Sequence, residues 1–134
     1  MMDAPRMALI VHPDMAVVSG LQSALTSKGF TAIVARDLPT ALLSITQHYF
    51  EIALVASTLQ ENGDGWPLAG VLHLVFPRAF VAVLDRLEPD ILTLQSAINY
   101  GVREVYQQSM SPQDVVSSIF AQVQTSPSGD ASVQ

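Results

Sequence analysis

Four short uninterrupted apolar runs punctuate the chain: Ala8–Val11, Ile52–Val55, Phe80–Leu84 and Val105–Tyr106. Continuous runs of this length mark strands buried on both faces of a parallel sheet, whereas strands with one wet face alternate. Between the runs, apolar residues recur at helical spacing. After a strand Met7–Val11, the stretch Asp14–Lys28 places Val17, Val18, Leu21, Ala24 and Leu25 on one face and ends at Gly29, where a left-handed stop is wanted. A β-branched strand Thr31–Ala35 follows. Asp37 then stands as an N-cap with Pro39 in the first turn, and Leu38, Ala41, Leu42 and Ile45 form the expected buried stripe.

The third strand is expected over Glu51–Ala56, followed by a polar, glycine-bearing loop Ser57–Gly65 and a short helix Trp66–Leu74. Pro77-Arg78 turns into the strand Ala79–Leu84. Glu88-Pro89-Asp90 opens a helix with Ile91, Leu94, Ala97 and Ile98 inward, closed by Gly101 before the last strand, Arg103–Gln107. Ser111-Pro112-Gln113-Asp114 has capping-box spacing with proline at the first helical position, and Val115, Ile119, Phe120 and Val123 face inward after it. Thr125–Gln134 has no periodicity and reads as a flexible tail or linker. Five strand–helix repeats with short connections predict a doubly wound five-stranded parallel sheet in a three-layer α/β/α arrangement.

Composition narrows the function more than the fold. Hydrophobic content of 49% with 13% charged residues indicates a single packed domain. The formal charge is −6, Lys28 is the only lysine, and Arg6, Arg36, Arg78, Arg86 and Arg103 are scattered along the chain. No run of cations suits nucleic acid or an anionic membrane surface, so neither is expected as a direct partner. The absence of cysteine excludes disulfides, thiolate catalysis and cysteine-ligated zinc. No signal peptide or apolar span of membrane length is visible, which gives the expectation of a soluble cytoplasmic protein.

In doubly wound sheets, ligands gather beyond the carboxyl ends of the strands. Here those ends carry His12-Pro13-Asp14, Ala56-Ser57, Asp85-Arg86 and Gln107-Gln108. Ala8-Leu9-Ile10-Val11, Asp64-Gly65-Trp66, Ala97-Ile98-Asn99-Tyr100-Gly101-Val102 and Ser111-Pro112, in this order, resemble the receiver domain of two-component response regulators. The resemblance covers residues 7–124, with 1–6 as an N-terminal extension and 125–134 as the tail. It implies a flavodoxin-like fold with strand order 2-1-3-4-5 and a role in phosphorelay signal transduction.

The family's chemistry does not carry over. The two magnesium-binding acids of a receiver correspond to His12 and Pro13, and the phospho-accepting aspartate to Ala56. The phosphoryl-contacting hydroxyl corresponds to Asp85, the lysine to Gln108, and the following proline to Ser109. The aromatic switch position falls on Val105, with Tyr106 one residue out of step and so on the other face. Alanine offers no nucleophile and a prolyl ring no ligand, so the resemblance implies a pseudo-receiver: no enzyme, cofactor or metal, and no phosphoacceptor.

Several residues keep a second reading. Asp14 and Asp64 could be substitute acceptors, but read first as an N-cap and a turn aspartate. His12 and Asp85 are expected to meet on neighbouring strand ends in a contact that would raise the histidine pKa. Ser57 and Thr58 lack a placed base, since His48 and His73 fall on helices. Trp66 reads first as core, and Tyr100, Val105 and Tyr106 as an interaction face. That face, the fourth helix, fifth sheet strand and fifth helix from Asp90 to Gln124, is where the resemblance places an output partner, a kinase or a second copy. An unrelated flavodoxin-like ligand-binding domain is the other alternative, although no glycine-rich phosphate cradle is present.

Overall fold

A computed structural model describes residues 6–59 and 63–131, with side chains as far as Val123. The chain alternates β1 (Arg6–Val11), α1 (Met15–Ser27), β2 (Phe30–Ala35), α2 (Leu38–Gln47) and β3 (Ile52–Ala56). A short hairpin, β4 (Thr58–Leu59) and β5 (Gly63–Asp64), comes next. It is followed by α3 (Trp66–Val75), β6 (Phe80–Asp85), α4 (Ile91–Tyr100), β7 (Glu104–Gln107) and α5 (Pro112–Ala131). Five strands form one parallel sheet in the order β2–β1–β3–β6–β7, which gives a flavodoxin-like α/β fold. Apart from the hairpin strands, this is the order that the family resemblance implies.

The continuous apolar runs are buried on both sides of the sheet, as their lack of alternation predicts. On one side Ala8, Ile10, Leu54 and Ala82 pack under α1 and α5; on the other Leu9, Val55, Val81 and Val83 pack under α2 and α3. Helix starts follow local chemistry. The carboxylates of Asp14, Asp37 and Asp90 accept from the backbone N–H groups of Ala16, Thr40 and Thr93, each at 2.9 Å. Ser111 Oγ accepts from the Asp114 N–H at 3.1 Å and caps α5. Gly101 ends α4 at φ 73°, a left-handed conformation that a side chain would strain.

Four elements differ from the sequence expectation. The stretch Ser57–Gly65 is not only loop: Thr58 pairs with Asp64 and Leu59 with Gly63 in an antiparallel hairpin. In α4, only Ala97 is buried, while Ile91, Leu94 and Ile98 face solvent, Ile98 with 78% of its surface exposed. Helical spacing marks an apolar face, but covering that face takes neighbours, and α4 packs against α3 and only marginally against β7. The same holds for Leu38 and Leu42 of α2, which are exposed while Ala41 and Ser44 are buried. Finally, the backbone of α5 continues as helix to Ala131, past the break expected after Gln124. Apolar spacing reports what a helix packs on, not where its backbone ends. Of the N-terminal extension, Arg6 opens β1; residues 1–5, like 132–134, lie outside the described residues.

Candidate functional site

The carboxyl edge of the sheet brings together His12, Ala56-Ser57, Asp85 and Gln107-Gln108, each held there by its strand. Val11 pairs with Val55, so His12 and Ala56 stand one step beyond on adjacent strands. The ladder runs on past the sheet proper: Ser57 N–H donates to Leu84 O at 2.9 Å and Gln108 N–H to Asp85 O at 2.7 Å. The hairpin folds back over this edge, and Gly65 N–H donates to Ser57 O at 2.9 Å. Gly65 lies so close to Ala56 that a Cβ there would sit 1.9 Å from the Ala56 carbonyl oxygen. Only glycine fits that approach.

The expected meeting of His12 and Asp85 does not occur. β3 stands between β1 and β6, so their carboxyl ends are not neighbours. Asp85 instead accepts from Ser57 Oγ at 3.0 Å, a pair that register predicts, because Ala56 opposes Leu84 and the next residues on each strand are Ser57 and Asp85. His12 turns inward. It is 2% exposed, and its Nδ1 accepts from the Asp14 N–H at 3.0 Å. That bond places the proton of the neutral ring on Nε2, which is buried with no hydrogen-bond partner among the described residues.

Burial therefore lowers the His12 pKa from its ordinary 6.5, opposed by the nearby Gln108 side chain and the Asp14 carboxylate. Gln108 stands near enough to favour the charged ring without closing a bond on Nε2. Protonation at Nδ1 would also turn the Asp14 N–H contact into two donors facing each other. The sequence expectation of a raised histidine pKa is thus reversed, because its carboxylate partner is engaged elsewhere.

The remaining candidates fall out by geometry. Asp14 is the N-cap of α1, and Asp64 Oδ1 accepts from Trp66 N–H at 2.9 Å in a turn that starts α3. Both carboxylates are exposed. Ala56 is buried and ends β3. Thr58 is exposed on the hairpin, and among the described residues no histidine bonds it or Ser57. Magnesium needs several oxygen ligands. Here Pro13 and Ala56 offer no side-chain donor and His12 is turned into the protein, so the residues present do not fit that ion. Among the described residues no three His, Asp or Glu side chains are grouped as a metal site requires. Beside Gln108, an apolar cleft of about 250 Å³ opens between Val17 of α1 and Met110.

Of the expected interaction face, Tyr106 is a correction. It is 5% exposed, lies in the core under α1 and α5, and bonds Ser118 Oγ through its hydroxyl at 2.9 Å. Burial raises its pKa above the usual 10. Strand alternation puts Val105 on the opposite face, half-buried. Tyr100 is partly exposed, with its ring 6.4 Å from that of Trp66 and packed on Gly70, where a Cβ would meet it at 2.7 Å. Trp66 is half-buried and packs against the core.

No family model matches the sequence, and no curated protein matches it. Solved structures do match its fold. A two-component response regulator from Clostridium difficile has TM-score 0.81 at 19% identity, covering 92% of this chain and 99% of that one. A CheY-like response regulator receiver domain protein from Methanospirillum hungatei JF-1 has TM-score 0.79 at 19% identity, covering 90% and 95%. A response regulator from Burkholderia pseudomallei, which carries a phosphorylated aspartic acid, has TM-score 0.75 at 20% identity, covering 96% of this chain and 76% of that one. At these identities the likeness is one of fold.

Proposed function

We propose that the chain is an atypical receiver domain that serves two-component signal transduction without being phosphorylated, through contacts with other proteins. The observation that carries this reading is Ala56. The residue ending β3 is buried, has no nucleophile, and is roofed by the Gly65 turn. Around it, Asp85 is spent on Ser57 and His12 on the Asp14 amide. Phosphoryl transfer to the residue ending β3 needs a carboxylate there, and Ala56 supplies none.

A domain of this kind works by binding. Its unit is residues 7–124, with 125–134 as a tail or linker, and it acts in the cytoplasm with no enzymatic step, cofactor or metal of its own. Its partners are an output domain, a kinase or regulatory protein, or a second copy seated on α4, β7 and α5, and it does not contact nucleic acid directly. The exposed Ile91, Leu94 and Ile98 of α4 support this, because contiguous apolar surface of that kind marks association sites. A partner that prefers one arrangement of that face shifts the population toward it.

The second reading, phosphorylation at Asp14 or Asp64, draws on the exposure of both carboxylates at the mouth. Incubation with a small phosphodonor and magnesium, followed by intact mass measurement, separates the two. An unchanged mass is expected, and a gain of one phosphoryl group overturns the reading.

A further inference from the structure

At the opposite end of the sheet, the amino ends of the strands frame a cleft of about 380 Å³ between β1, β3, β6, β7 and the middle of α5. Its walls carry Arg6, Arg78 and Arg103 against the single carboxylate of Glu51. These cations are far apart in sequence and are gathered only by the parallel register, which brings every strand start to one edge. Lys28 stands at the rim, 5.7 Å from the Phe120 ring centroid. Four of the six basic residues of a chain with formal charge −6 therefore share one edge.

Two of the three arginines are not consumed by internal pairs. Arg6 binds Glu51 at 2.8 Å, but Arg78 and Arg103 have no ion pair or side-chain hydrogen bond among the described residues. Two of the guanidiniums lie over rings, Arg6 at 4.6 Å from the Phe30 centroid and Arg103 at 5.1 Å from that of Phe80. Arg6 spends its edge on Glu51, whereas Arg103 keeps its outer face for a second flat ring and its edge for a forked contact to a carboxylate or phosphate. The cleft lies in the size range of small-molecule sites, with an apolar floor of Ile52 and Phe80.

We infer that this amino-edge cleft is a binding site for a small aromatic anion, a flat ring bearing a carboxylate or phosphate. It is independent of the phosphotransfer question, since it lies at the other end of every strand. Backbone amide shifts of the full chain, titrated with AMP and separately with 1-naphthoate, test it and distinguish the two anion types. Saturable shifts at Phe30, Ile52, Phe80 and Arg103 are expected with at least one probe, with a dissociation constant below about 1 mM. Binding should weaken roughly tenfold or more in Arg78→Gln/Arg103→Gln, as expected when charge-assisted hydrogen bonds are removed. Arg78→Gln alone, at a side chain that covers no ring among the described residues, keeps the test valid if the double variant does not fold. Unmoved amides with both probes overturn the inference, as do equal shifts with uncharged adenosine or undiminished binding in the variants. Inorganic phosphate binding as tightly as AMP overturns the aromatic part.

Discussion

At the scale of single residues, the carboxyl edge is governed by His12 and Gly65. His12 is a histidine kept neutral by burial. In the folded state it binds a proton less readily than in the unfolded chain, so between the two pKa values the unfolded state holds more protons and stability rises with pH. Stability from this group is present above the ordinary value of 6.5 and is lost as pH falls through the lowered folded value. Denaturant midpoints measured from pH 7 downward should fall, and His12→Asn, whose side-chain oxygen can still accept from the Asp14 N–H, should flatten that first decline. Gly65 acts by what it lacks. Gly65→Ala would drive a methyl into the Ala56 carbonyl, which sits in regular strand and cannot swing away. A loss of about 1–3 kcal/mol by chemical unfolding is expected, the usual cost of overpacking.

At the scale of elements, α4 departs furthest from its sequence pattern. Its apolar residues have the spacing of a core helix, yet only Ala97 is buried, and its hold on the domain runs through Tyr100 over Gly70 and Gly101 beneath the His73 ring. Ile98→Gln should therefore change stability by less than about 0.5 kcal/mol, the range of ordinary surface substitutions. A larger loss by thermal unfolding would mean that Ile98 is covered. The same substitution should weaken any self-association seen by light scattering, because it removes apolar area from the exposed face.

At the scale of the whole molecule, what the sequence discloses divides along local and non-local lines. The strands were legible because Ala8–Val11 and Phe80–Leu84 are apolar without interruption, and the caps Asp14, Asp37 and Asp90 because capping acts within three residues. The site was legible as a set of substituted positions but not as a set of contacts. Whether His12 meets Asp85 depends on β3 lying between them, and burial of Tyr106 depends on where α5 crosses. Three of the five scattered arginines become one cluster only when the strand starts are aligned. The acids Asp14, Asp37, Asp64, Asp85, Glu88 and Asp90 follow the carboxyl ends with only Arg36 and Arg86 among them, whereas Arg6, Lys28, Arg78 and Arg103 stand at the amino ends with Glu51 and Glu104, so the balance of charge differs between the two edges.

The sparse burial of α4 also bears on how stability is distributed. Local opening costs in proportion to the apolar surface it newly wets. Since Ile91, Leu94 and Ile98 are wet already, releasing α4 from the sheet forfeits little beyond the Ala97 and Tyr100 contacts. The helix that offers the most to a partner is thus one the domain holds loosely, and a protein that covers it would rigidify the fold as well as bind it.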